Sequence, residues 1–233
     1  IQIIEALGGT VPSFAHHSLL TGPQGESLSK RLGTLALRDL REQGVEPEAL
    51  LSLMARLGSS QPVELRMSLD EIADGFELSQ FGSAPTKFDV DDLFPLTARK
   101  LHSLDYSVMI DELATLGVPD TQAKAFWNVA RANITTRKDI AAWWSLCSNG
   151  AEPLVADEDA EFIAEAMALL PEGPLAADTW STWTTAVKEA TGRKGKGLFM
   201  PLRKAITGQE RGPEMADLLP LMQNIPARTL AKG

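Results

Sequence analysis

The sequence predicts a mainly α-helical protein, and three observations carry that expectation. From Thr34 onward, apolar residues recur at helical spacing in one segment after another. Gly, Pro and capping residues fall where those segments stop and start. After residue 60 no convincing period-two alternation appears, and neither an internal repeat nor a low-complexity run breaks the pattern.

Residues 1–33 are rich in Gly, Pro, Ser and Thr around short apolar pieces such as Ile3-Ile4 and Leu19-Leu20, which predicts a loop with room for a short strand. Leu35, Leu37 and Leu40 then predict a helix ended by Gly44. Ala49, Leu50, Leu53, Met54 and Leu57 predict a second, ended by Gly58. Pro47 suits the first turn of that second helix, where its missing N–H costs nothing. Ser68 with Glu71 three residues on is a capping-box start for a short helix through Phe76, and Gly82-Ser83-Ala84-Pro85 interrupts after it.

Helices are expected over about 91–104 and 107–116, the latter stopped by Gly117-Val118-Pro119. Asp120 is placed as the cap of a helix with Ala123, Phe126, Trp127 and Ala130 on its inner face. Thr136 precedes a helix over 138–146, Asp157 one over 160–170, and Asp178 one over 180–190 ended by Thr191-Gly192. Segments 198–206 and 213–222 close the series, with Pro201 expected in a first turn. A boundary near Tyr106 divides the chain into domains 1–105 and 106–233.

A chain of 233 residues can hold two domains, each able to bury a core. Apolar residues at 44% and charged residues at 23% are ordinary globular usage, which argues against disorder and fibrous repeats. No run approaches the roughly 18 apolar residues that a membrane span needs. The N-terminus has no initiator Met and no leader pattern, so the chain is expected to be part of a longer protein. Cys147 is the single cysteine, and with His16, His17 and His102 it offers no zinc spacing; no metal site is expected, and the cytosol is the simplest compartment.

A formal charge of −9 argues against a polyanionic partner, but its distribution argues the other way. Lys188, Arg193, Lys194, Lys196, Arg203 and Lys204 crowd one stretch against Glu189 alone, while acidic residues cluster at 89–92 and 157–165. A basic patch on an acidic body can steer a polyanion to one face.

Two stretches carry chemistry. The first is Pro12-Ser13-Phe14-Ala15-His16-His17, followed by Gly25-Glu26-Ser27-Leu28-Ser29-Lys30-Arg31-Leu32-Gly33. An ammonium, a hydroxyl and backbone N–H groups on such a loop can stabilise charge that builds on a leaving pyrophosphate. The second runs Thr191-Gly192-Arg193-Lys194-Gly195-Lys196-Gly197 into Pro201-Leu202-Arg203 and on to Gly212-Pro213-Glu214-Met215. A Walker-type phosphate loop does not fit there, because Leu198-Phe199 stand where Lys and Ser or Thr are required and no strand precedes. Arginine's planar fork suits a phosphate or a base edge, and an unstacked base can rest on an adjacent Pro or apolar side chain.

Both stretches resemble the glutamate type of bacterial class I aminoacyl-tRNA synthetases, over essentially the whole chain. The resemblance implies the end of a catalytic domain with its signature loop, a small helical stem-contact unit, and then an all-α anticodon-binding domain. It makes Lys30 the catalytic cation, with His16, Ser29, Lys30 and Arg31 on ATP. It puts Arg203, Gly212, Pro213, Met215, Lys194 and Lys196 on the anticodon. Ser27 departs from the family, which commonly has Lys there.

The implied activity of the whole protein is ATP-dependent attachment of glutamate to tRNA-Glu, with Mg2+, tRNA-Gln being left open. This piece, expected to be cytoplasmic and monomeric, would bind tRNA without catalysis and hold no cofactor alone. The alternative is a free-standing helical tRNA- or protein-binding module. Trp127, Trp143, Trp144, Trp180 and Trp183 are read as core rather than base-stacking residues. Arg131, Asn133, Arg137 and Lys138 fall where the resemblance places a contact to the third anticodon base.

Overall fold

Ser68 and Asp105 accept backbone N–H groups at two helix starts, Pro47 opens a third helix, and left-handed Gly44, Gly192 and Gly208 end three of the helices. The computed structural model describes residues 1–28 and 36–232. Packing divides the chain into Ile1–Lys100 and Leu101–Gly233.

In the first unit, Gln2–Ala6 form a short helix, α1, inside the stretch expected to be loop. Leu20–Thr21 (β1) pair in parallel with Thr86–Lys87 (β2), with Leu20 opposite Thr86 and Thr21 opposite Lys87. β2 corrects the expectation of no strand after residue 60: two residues are too few to show an alternation. Leu37–Gln43 (α2) stop at Gly44, whose φ of 85° is the left-handed value that glycine supplies without penalty. Pro47–Met54 (α3) open on the proline, as the sequence predicts.

Leu69–Ala73 (α4) are shorter than expected. Ser68 accepts from the Glu71 N–H at 3.1 Å, but Glu71 reaches back to the Met67 N–H at 2.9 Å rather than to that of the cap itself. Leu40, Ala49, Leu53, Phe88, Leu93 and Leu96 make the apolar core of this unit. Around it lie polar ties between distant segments: Ser18 to the Thr86 hydroxyl at 2.7 Å, and Ser52 to the Arg66 N–H at 2.9 Å. Lys100 pairs with both Glu46 and Glu48.

Leu93–Ser103 (α5) precede Tyr106–Thr115 (α6), which Asp105 caps by accepting from the Ser107 N–H at 3.0 Å. Those bonds hold the Asp105 carboxyl below its ordinary pKa. Asp120–Ala130 (α7) is capped by Pro119, not by Asp120, which sits inside the first turn. Lys138–Asn149 (α8) receives its N-terminal cover from Asp139, whose carboxylate accepts from the N–H groups of Thr135 and Thr136 at 2.7 and 2.8 Å. Ala160–Ala168 (α9) and Thr179–Thr191 (α10) follow, then Lys196–Thr207 (α11) and Met215–Leu218 (α12). A terminal 3-10 segment, Pro226–Lys232, packs along α9. The core of this unit holds Trp127, Trp183, Phe126, Ile140, Ile163 and Leu202 among many others.

Candidate nucleic-acid interface

The basic stretch folds as a loop pinned at one residue and open at the next two. Gly192, with φ 71°, ends α10 and turns the chain outward. Arg193 then folds back: its guanidinium pairs with Asp159, lies 4.0 Å over the Phe162 ring, and donates to the Gly197 carbonyl at 3.4 Å. That last contact has a reason in the sequence. Pro201 sits inside α11 rather than in its first turn, so it offers no N–H to the carbonyl four residues back, and that carbonyl belongs to Gly197. Arg193 is therefore a fastener. Lys194 and Lys196 are exposed, and neither has an ion-pair partner among the described residues.

One face of α11 leads to the second half of the site. Arg203 Nη2 donates to the Pro213 carbonyl at 2.8 Å, which fixes the turn after Gly208 against the helix. Its Nη1 is buried and has no hydrogen-bond partner among the described residues. Gly212 is required there: a Cβ at that position would come within 2.5 Å of Trp143 Cη2 and 3.5 Å of Arg203 Nη1. Trp143 in turn donates its indole N–H to the Asn133 carbonyl at 3.1 Å. Arg203, Gly212, Pro213 and Trp143 thus form one assembly, and Trp143 was not legible as part of it because its helix is remote in sequence.

Not every residue in the sequence prediction faces outward. Met215 is 2% exposed and packs in the core, and Pro213 is buried. Arg137 pairs with Glu112 and touches the Met109 sulfur, whereas Lys138 is exposed. Asn133 donates to the Val129 carbonyl at 3.3 Å. Lys204 pairs with Glu210 at 3.3 Å. Four of the tryptophans are buried, and Trp180 is partly so.

In the first unit, Ser29, Lys30 and Arg31 lie outside the described residues. His16 is exposed. His17 Nδ1 lies 2.9 Å from the Ser18 carbonyl, beside a mostly apolar cavity of about 230 Å³ walled by Leu20, Met54, Phe76 and Phe81. No group of three or more His, Cys, Asp or Glu side chains able to hold a metal occurs among the described residues. None of the described helices is long and apolar enough to cross a membrane.

The family of tRNA synthetases class I (E and Q), catalytic domain, matches residues 1–95, and the anticodon binding domain family matches residues 122–224. Glutamate–tRNA ligase 1 of Ruegeria pomeroyi is 70% identical over 98% of this chain and 52% of its own length. The chain belongs to the glutamyl-tRNA synthetase family. Glutamate–tRNA ligase 1 of Roseobacter denitrificans is 67% identical over the same shares, so the chain spans about half the length of the curated synthetases it matches. Among solved structures, a glutamate tRNA ligase from Elizabethkingia meningosepticum, in complex with its amino acid, aligns over 99% of this chain and 53% of its own. Its TM-score is 0.74 at 22% identity, a likeness of fold. The mainly helical expectation holds, as do the catalytic-domain and anticodon-domain assignments that accompany it.

Proposed function

We propose that this chain is the tRNA-binding portion of a cytoplasmic, monomeric glutamate–tRNA ligase. The whole enzyme would use ATP and Mg2+ to join glutamate to tRNA-Glu, and this portion alone would bind tRNA without catalysis. The observation that carries the reading is the divided guanidinium of Arg203. One amine holds the Pro213 carbonyl while the other, buried beside Gly212, has no partner among the described residues. An unsatisfied buried donor costs about 1–3 kcal/mol. A small shift of the 212–213 turn would give an unstacked base access to it, and such a base edge recovers that cost. Lys194, exposed in the loop before α11, and Lys196, exposed at its first position, add sequence-independent attraction for phosphates. On this reading residues 1–105 brace the acceptor end, Lys30 is the catalytic cation, and His16, Ser29 and Arg31 assist it at ATP.

The test compares a tRNA-Glu transcript with one whose anticodon has been exchanged. Arg203→Ala costs on the order of 1–3 kcal/mol on the first and less on the second; equal losses would reduce Arg203 to a phosphate contact. Lys194→Ala and Lys196→Ala weaken both transcripts alike and flatten the salt dependence. Including a tRNA-Gln transcript reads the discrimination directly. ATP–pyrophosphate exchange by the chain alone would overturn the statement that it does not catalyse.

A further inference from the structure

The exposed face of α11 carries more than the two cations already described. Lys196, Phe199 and Arg203 stand at positions i, i+3 and i+7, which brings them to one side of the helix. Phe199 is 46% exposed although it lies in a well-packed helix. Its ring is not loose. The Trp180 ring lies 6.3 Å away at a tilt of 37°, and Trp180 meets Trp183 edge to face at 5.6 Å and 64°. Trp183 is 1% exposed, with its indole N–H on the Ala166 carbonyl at 2.8 Å. The outermost ring is therefore held by a stack rooted in the core, which lowers the entropy that a ligand resting on it would have to remove.

The charges around this ring are selective. Asp159, an acidic neighbour of the basic loop, is taken up by Arg193, so that carboxylate is neutralised while Lys194 and Lys196 stay exposed. A rigid aromatic face beside uncompensated cations fits a ligand that combines a flat π surface with a negative backbone. An unpaired stretch of RNA is that ligand; a double-stranded stem hides its base faces.

We propose that Phe199, backed by Trp180, is a stacking ledge for an unpaired base neighbouring the one at Arg203, with Lys196 on the phosphate that flanks the stacked base on the side away from Arg203. The ledge rests on the reading of Arg203 as an RNA contact, and the two residues stand four apart along α11, a rise of about 6 Å. Stacking is indifferent to base identity, so the ledge contributes affinity and orientation while Arg203 contributes discrimination.

The experiment uses the whole chain and an anticodon stem-loop RNA of tRNA-Glu carrying 2-aminopurine at one loop position at a time. Phe199→Leu keeps an apolar contact on Trp180 but removes the flat face; Phe199→Tyr keeps both. Stem-loop affinity falls about tenfold in Phe199→Leu, and one loop position loses its fluorescence quench on binding. Phe199→Tyr retains both, and thermal unfolding of the two variants matches the parent. Unchanged affinity and quench in Phe199→Leu, with Arg203→Ala still weakened, overturn the ledge and leave the RNA reading standing. An equal loss on a loop-free duplex also overturns it, by showing a phosphate effect only. A parent chain that does not bind the stem-loop removes both readings together.

Discussion

The two units bury polar groups in opposite ways. In Ile1–Lys100 the buried polar residues are Ser18, Thr21, Glu46, Ser52, Thr97 and Lys100, and most tie segments far apart in the chain. Ser18 bonds to Thr86, Ser52 to Arg66, Thr97 to Glu46, and Lys100 to Glu46 and Glu48. In Leu101–Gly233 the buried polar residues are Thr136, Thr179, Thr184 and Thr207. There Thr184 donates to the Trp180 carbonyl and Thr207 to the Arg203 carbonyl, each four residues back within its own helix. The first unit holds its tertiary structure largely through directed polar contacts made by buried side chains around a small apolar cluster, and the second through a large apolar core whose buried tryptophans donate to backbone carbonyls. Polar ties of this kind specify an arrangement but fail badly when one partner is removed; an apolar core fails by forming cavities.

The largest effect that tests this contrast is a cavity in the second unit. Trp127 is fully buried between α7 and its neighbours and donates to the Leu104 carbonyl at 3.1 Å. Trp127→Ala leaves both a large void and an unpaired carbonyl, with an expected loss of about 3–5 kcal/mol. Hydrogen exchange measured by segment should show faster opening throughout 101–232 and little change in 1–100. A loss spread evenly over both units would break the distinction between them.

Next in size is a charge deletion in the first unit. Lys100→Met removes the cation beside Glu46 and Glu48, whose side chains are 8% and 27% exposed, and should cost about 3 kcal/mol, the low end for a broken buried pair. Adding Glu46→Gln to Lys100→Met should recover part of the loss, because the carboxylate then no longer needs a counter-charge. If the double variant is as unstable as the sum of its singles, the pair is not coupled and the polar account of this unit is wrong.

That contrast also explains what could be read from the sequence. Spacing and punctuation gave α2 its stop at Gly44 and α10 its stop at Gly192, since periodicity and left-handed glycines are local properties. Long-range partners were not legible. Arg193 counted as one more cation of a basic patch until Asp159 and Phe162, from a segment 34 residues away, were seen to hold it. Pro201 was expected in a first turn because a proline inside a helix normally breaks it, and it was the Arg193 contact to Gly197 that covered the missing bond. Gly212 read as a turn residue, whereas its lack of a side chain is what admits Trp143. Membership of a synthetase family was legible from short motifs, but Ser29, Lys30 and Arg31, on which the ATP assignment rests, lie outside the described residues.

The smallest expected effect probes how dry the second core is. Cys147 is fully buried on α8, and burial pushes its thiol up to about 12 from an ordinary value of 9.0. In the unfolded chain the thiol gives up its proton above pH 9.0, while in the folded chain it keeps it to about 12. Between those limits the native state binds more protons, so stability falls as pH rises, at a slope approaching about 1.4 kcal/mol per pH unit. Below that window the group contributes no pH dependence. Denaturant unfolding followed from pH 8.5 to 11 should show this fall in the parent and a shallower one in Cys147→Ala, the remainder being due to tyrosine and lysine ionisation common to both. A thiol reagent at pH 8 should modify Cys147 only as fast as the second unit opens. Rapid modification with the fold intact would mean that water reaches the α8 core, and the contrast between a polar first interior and an apolar second one would no longer hold.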